Sequence, residues 1–237
     1  GDVGALHPRS ANFSQSESHY FNQRNAPPVE AANARDMGVF IISPNDKGGQ
    51  LFKAPAKVKN ATIPLTPIQW NARFCLKNNG IHTLSFGLTE AQQFTEMKGI
   101  FPVQWTSSEQ QSQAKLDGFL AEDPYSNFDG FELANDPSGI NIPEILRLRK
   151  LWKCYDMSSF GKYRYKTFED RSHWLPGEQA FNEHIEKIDL SAVPENIPLK
   201  KLLAEAHRKF YIKPWQRKVN NFFYKVKWKL TKLIAEK

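Results

Sequence analysis

The chain has 237 residues, 32 Lys and Arg against 25 Asp and Glu, a formal charge of +7 and a mean hydropathy of −0.57. That length carries one or two domains with a real core, and no apolar run approaches the ~20 residues of a membrane-crossing helix. Two cysteines, Cys75 and Cys154, give no disulfide framework and fit a reducing intracellular compartment, each thiol packed in a core.

Residues 1–18 are low in apolar content and predict an extended N-terminal arm that lies along a partner. Val29 to Asp36 mixes apolar and polar residues at helical spacing. Val39 to Ile42 is a continuous apolar run of the kind found in a strand buried on both faces, and Ser43-Pro44 with Gly48-Gly49 breaks it. Thr66 to Lys77 predicts a second helix and Ile81 to Ser85 a second buried strand. Thr89 to Lys98 predicts a third helix, capped by Thr89 with Glu90 in its first turn. Strands alternating with helices imply parallel βα units, with Tyr20 and Phe21 the place for a third strand.

From Asp123 to Pro194 the chain twice lays out the frame Cys-x2-Cys-x2-Cys-x3-Cys-Pro, which holds a bacterial-type iron–sulfur cluster through thiolates at fixed reach. Counting back from Pro137, the ligand positions fall on Ser126, Asp129, Glu132 and Asp136. Counting back from Pro194, they fall on Glu183, Glu186, Asp189 and Val193. Without a thiolate neither frame holds a cluster, so no metal is expected. The frames belong to an internal repeat: Ile140, Ile142, Ile145 and Leu146 match Ile197, Leu199, Leu202 and Leu203 at an offset of 57 residues. In each copy an irregular loop runs into a helix with proline at its start, where a missing N–H costs nothing. Glu183, Glu186 and Asp189 read as a solvated face or as ligands for a hard cation. His184 and His207 read as surface or capping residues.

The stretches Tyr20 to Ala32, Arg35 to Gly49, Ile81 to Gly87, Gly139 to Arg149, Phe160 to Tyr165 and His173 to Gly177 occur in an order that resembles the C-terminal part of iron–sulfur-containing, ferredoxin-tailed aldo/keto reductases. The resemblance implies an α/β fold. Residues 19–120 would be a partial (β/α) barrel of the last two or three βα units, and residues 121–212 a degenerate, mostly helical ferredoxin-like region without clusters. It also implies that the catalytic Tyr, Lys, Asp and His set belongs to an upstream barrel half that this chain does not align with, so no catalytic residue is expected. The family's nicotinamide cofactor touches the ends of the last two strands. That leaves a vestigial cofactor site at Ser43, Gly48, Gly49 and Gly87 and no bound cofactor expected.

Residues 213–237 hold eight Lys or Arg against Glu236, a balance of +7 that leaves the first 212 residues neutral. Val219, Phe222, Phe223, Val226, Leu230, Leu233 and Ile234 recur at helical steps, which predicts a basic amphipathic helical tail. Its expected partner-binding residues are Lys213, Arg217, Lys218, Phe222, Phe223, Lys225, Lys227, Trp228, Lys229 and Lys232. They suit acidic protein subunits or peripheral contact with an anionic membrane surface, and a tail packed on its own domain is the plain alternative. Nucleic acid is not expected, because no reader motif accompanies the charge. The basic and aromatic run at Lys162, Tyr163, Arg164 and Tyr165 reads as packing between the repeat helices or as a docking patch.

These features together point to a pseudoenzyme: a non-catalytic linker, scaffold or assembly subunit of a larger, membrane-associated complex. A photosynthetic antenna or photosystem assembly on the stromal side of a plastid thylakoid comes first, and a cytoplasmic setting is the alternative. The competing reading is the C-terminal half of a split NAD(P)H-dependent aldo/keto reductase, completed by a separate N-terminal chain.

Overall fold

The structure is a computed structural model that describes residues 13–166, 180–213 and 216. It is an α/β chain, about half helical, with one small parallel sheet. Its residues divide into two units, Gly1–Asn127 with Lys150–Met157, and Phe128–Arg149 with Ser158–Lys237.

In the first unit the strands β1 (Phe13–Ser16), β2 (Gly38–Ile42) and β3 (Thr83–Ser85) pair in parallel in that order, Phe40 lying between Gln15 and Thr83. Alternation along β2 sends Val39 and Ile41 to one face. There they form a core with Val29 and Ala32 of α1 (Ala26–Asn33), Cys75 of α3 (Pro67–Leu76) and Ile81. Phe40 and Ile42, on the other face, are only half-buried, and the neighbouring Gln15 and Thr83 are exposed. The strand expected to be buried on both faces is therefore buried on one.

The third strand is also not where the aromatic pair Tyr20-Phe21 suggested. It lies at Phe13–Ser16, inside the expected arm, and pairs with the chain's own sheet. Tyr20 and Phe21 sit in a tight turn in which the backbones of His19 and Asn22 exchange hydrogen bonds of 3.1 and 2.8 Å. The Tyr20 ring packs edge-on against Phe21, Trp70 and Phe74, with centroids 5.0 to 5.2 Å apart. Burial of that large aromatic surface outweighs strand propensity.

Helix α1 starts ahead of Val29 because Pro27 and Pro28 occupy its first turn, where proline is tolerated. It stops short of Asp36, which adopts a left-handed φ of 54°. Helix α3, expected from Thr66 onward, is capped by Thr66, whose capping box with Gln69 closes its first turn. Helix α4 (Ala91–Lys98) is capped by Glu90 rather than Thr89. Of two further helices, α2 (Ala56–Thr62) buries Val58, Ala61 and Thr62 on one face, whereas α5 (Ser107–Gly118) carries little apolar periodicity. The second is fixed by a Thr106–Glu109 capping box and by Glu109 pairing with Arg73 at 2.6 Å.

The second unit holds the start of α6 (Ile142–Tyr155), then α7 (Ser158–Lys166), the short α8 (Asn182–Ile185) and α9 (Leu199–Phe210). The repeat read from the sequence is present in the backbone. Leu133 and Leu190 accept the N–H of the residue three further on, Asp136 and Val193, at 3.2 and 2.9 Å. Ile140 and Ile197 accept from Ile142 and Leu199, both at 2.8 Å. The paired apolar residues Ile140, Ile142, Ile145 and Leu146 are buried, as are Leu199, Leu202 and Leu203.

Candidate functional site: a cleft at the strand ends

A loop leaving a parallel strand at its carboxyl end has to turn over the edge of the sheet, and ligands of open α/β folds collect where two such loops face each other. Here the loops after β2 and β3 enclose a cleft of about 460 Å³, lined among others by Ser43, Asn45, Asp46, Gly49, Phe52 and Gly87. The volume is in the range of small-molecule sites. Three of the four vestigial cofactor positions, Ser43, Gly49 and Gly87, thus meet at one place. Gly48 belongs to the 3₁₀ segment Lys47–Lys53 that carries Gly49.

The first loop is strained and braced. Ser43 and Asp46 hold left-handed φ values of 54° and 60°, which cost a residue with a Cβ on the order of 1 kcal/mol each. Gly49, at φ 66°, suits glycine for a second reason: a Cβ there would stand 3.2 Å from the Phe52 ring and crowd it. The Asp46 N–H donates to the Ser43 carbonyl at 2.9 Å, and the Gly49 N–H to the Asp46 carbonyl at 3.0 Å. The Asn45 side-chain amide donates to the Gly87 carbonyl at 3.3 Å, joining the two loops. Beneath them Asn71, fully buried, donates to the Pro44 carbonyl and accepts the Tyr20 N–H at 3.1 Å.

On the other side of the cleft the amides of Thr89 and Glu90 both donate to the Gln93 side-chain oxygen, at 2.7 and 3.3 Å. The amides of Asp46, Gly49, Thr89 and Glu90 are therefore already donated around the cleft, and of the four expected cofactor positions Gly49 is one whose N–H is engaged in this way. The charged lining consists of Asp46 and Glu90 against Lys53. That balance repels a polyanion more than it attracts one.

Sequence reasoning missed Asn45, Asp46, Phe52, Glu90 and Gln93 as lining, and Asn71 as the brace beneath. One signal was available: Asn71 stands between Trp70 and Ala72 on an apolar helix face, where a polar side chain is costly without partners.

The eight vacant cluster positions do not gather into a metal site, and among the described residues no group of three or more His, Cys, Asp or Glu has metal-holding geometry. Each lies in a turn or at the surface. The Ser126 hydroxyl donates to the Leu120 carbonyl at 3.0 Å, and the Asp129 carboxylate accepts the Phe131 N–H at 3.2 Å. Glu132 is exposed in the turn Phe131–Leu133. Asp136 accepts from the N–H groups of Ser138 and Asp189, both at 2.9 Å, so the two repeat loops are tied directly. Glu183 lies 3.9 Å from His184, Glu186 pairs with Lys200 at 2.5 Å, and the Val193 N–H donates to the Leu190 carbonyl. Asp189 accepts the Ser191 N–H, which holds its carboxyl below the usual range.

His207 is neither a surface nor a capping residue. Its Nδ1 meets the Tyr165 hydroxyl at 2.8 Å and its ring stacks on Tyr211 at 4.6 Å, with Phe181 at 4.9 Å. Burial lowers its pKa to about 4. Of the aromatic and basic run, Tyr165 goes into packing, whereas Lys162 and Tyr163 stay exposed. Burial also pushes the Cys75 and Cys154 thiols up, to about 12 and about 11.

Of the expected tail, Lys213 is exposed and its N–H donates to the Gln216 side chain at 3.2 Å. Arg217, Lys218, Phe222, Phe223, Lys225, Lys227, Trp228, Lys229 and Lys232 lie outside the described residues, as do the first twelve residues. No helix among the described residues is long and apolar enough to cross a membrane. Compared with protein-family models, curated proteins and solved structures, the chain finds no match in any of the three.

Proposed function

We propose that the chain is a non-catalytic structural subunit, a linker, scaffold or assembly protein built on the last βα units of an aldo/keto reductase barrel and a ferredoxin-derived helical region without clusters. The observation that carries this reading is the half-bare sheet. Parallel sheets are stable with both faces covered. This one leaves Phe40 and Ile42 half-buried on one face, and among the described residues no strand pairs with the outer edge of β1 or β3. A surface of that kind is completed by another chain. The ferredoxin part of the reading is supported by the bond between Asp136 and Asp189. In a two-cluster protein the fourth ligand of one loop serves the cluster of the other, which is the pairing these two positions make.

The partners are acidic subunits of a membrane-associated assembly, engaged in part by the basic residues 213–237, and a photosynthetic antenna or photosystem complex on the stromal side of a thylakoid is the first place to look. Affinity purification of the tagged chain from its native source, with quantitative mass spectrometry, tests this. Stoichiometric acidic partners are expected, lost with rising salt when residues 213–237 are deleted. Amide exchange at Phe40 to Ile42 should slow in the complex. Recovery as a lone monomer with fast exchange along β2 overturns the proposal.

The convergence of Ser43, Gly49 and Gly87 at the strand ends favours one second reading, the C-terminal half of a split reductase, in which the partner chain has to supply the positive groups that this acidic lining lacks. It requires an N-terminal barrel chain among the co-purifying proteins, and nicotinamide dinucleotide binding only when that chain is present.

A further inference from the structure

Neither the subunit reading nor the split-reductase reading accounts for the chemistry that now lines the cleft. A structural subunit has no need of a cleft of about 460 Å³ held open by strained backbone at Ser43 and Asp46. Such strain persists only where surrounding contacts over-determine it, and Asn45 and Asn71 supply them here. The lining also has a definite character. Hydroxyls come from Ser43, Ser85 and Thr89, planar acceptors from Asp46 and Glu90, and the half-buried Phe52 ring offers an apolar wall. Carboxylates and amides accept from and donate to neutral hydroxyl groups, and an aromatic wall covers the C–H face of a ring. A phosphate meets the opposite conditions: two carboxylates against Lys53, and the backbone amides of Asp46, Gly49, Thr89 and Glu90 already donated.

We propose that the cleft between the loops after β2 and β3 binds an uncharged, hydroxyl-rich small molecule of about monosaccharide size, and does not bind a nucleotide polyphosphate. Asn45 and Gly87 set its width, Phe52 takes the apolar face of the ligand, and Asp46 and Glu90 accept hydrogen bonds from its hydroxyls. The site stands whether or not the chain works as a structural subunit, because every residue named lies in the first unit on either reading.

The full chain is tested by saturation-transfer NMR with methyl α-glucopyranoside and by phosphorus line broadening with inorganic pyrophosphate. Transfer to the glycoside ring protons and no broadening of pyrophosphate are expected. Gly87→Leu provides the control, since a Cβ at Gly87 meets nothing within 4 Å and so starts in open space, and the thermal melt checks that the fold is kept. It should weaken glycoside binding at least about tenfold while the thermal melt stays unchanged. Glycoside transfer that Gly87→Leu leaves intact, no transfer at all, or tighter binding of pyrophosphate than of glycoside each overturns the proposal. Capture of protein partners is unaffected by Gly87→Leu, so failure here is distinct from failure of the subunit reading.

Discussion

The two units treat their polar residues in opposite ways. Around the strand ends of the first, Asn45, Asn71 and the left-handed Ser43 and Asp46 hold two loops apart and leave a hollow. In the second, polar groups close the structure upon itself. Asp136 ties one repeat loop to the other, Arg149 pairs with Glu205 at 2.9 Å, and the buried Arg147 and Glu144 pair at 3.0 Å. Polar side chains fill the space between loops in one unit and keep it open in the other. The lesson is that the same kinds of polar side chain brace an open cleft or close a loop, depending on which backbone groups they meet.

If the second unit depends on its internal ion pairs, breaking them produces the largest effect. Glu144 is 4% exposed, bridges Arg147 at 3.0 Å and lies 3.8 Å from Arg164. Glu144→Leu strands guanidinium charge in a buried site and should cost about 3–5 kcal/mol in urea unfolding followed by circular dichroism. Adding Arg147→Met should recover part of that loss. A cost below about 1 kcal/mol would show that the unit does not rely on this pair.

Close packing comes next. A Cβ on Gly161 of α7 would stand 2.6 Å from the Phe210 ring, which is fully buried and has no room to swing away. Gly161→Ala should therefore destabilise by about 1–3 kcal/mol through overpacking, against the modest gain in helix propensity that alanine brings elsewhere. Wild-type stability would mean that α7 and α9 pack less tightly than the distances show.

How far these contrasts were legible beforehand depends on the kind of signal. The repeat helices were legible, because Ile142 and Ile145 recur as Leu199 and Leu202 at the same distance from Pro137 and Pro194. The strand at Gly38–Ile42 was legible as an apolar run, but which of its faces is covered was not, since coverage depends on what packs against it from elsewhere in the fold. β1 was missed because Phe13–Ser16 has one apolar residue in four, and its pairing is fixed by the register with Gly38–Ile41 rather than by its own propensity. At the cleft, the glycines and Ser43 stood out as breakers. Asp46, Glu90 and Gln93 did not, because their role comes from the approach of two loops some forty residues apart, which local pattern does not encode.

In the first unit the matching test is gentler. The Tyr20 hydroxyl donates to Asp117 at 2.7 Å and lies 3.3 Å from the Tyr155 hydroxyl, in the part of α6 that belongs to this unit. Burial raises the Tyr20 pKa far above the usual phenol value. Tyr20→Phe keeps the aromatic packing and removes the bonds, so a loss of about 0.5–1.5 kcal/mol is expected. A loss as large as that of Glu144→Leu would erase the difference between the units.

The smallest effect at neutral pH, and the one that best separates the units on acidification, belongs to His207. Its folded pKa of about 4 lies below the ordinary value of 6.5 because burial disfavours the charged ring. Between those values the unfolded chain binds more protons than the folded one. The contribution of His207 is therefore fully present above pH 6.5 and is lost as pH falls toward 4. Protonation would also put a proton on Nδ1, which faces the Tyr165 hydroxyl, while the ring stays stacked on Tyr211. Amide exchange in α9 should accelerate over that window while exchange in α3 of the first unit does not, and His207→Gln should flatten the pH dependence. Equal acceleration in both helices would mean that acid sensitivity is a property of the whole chain and not of this imidazole.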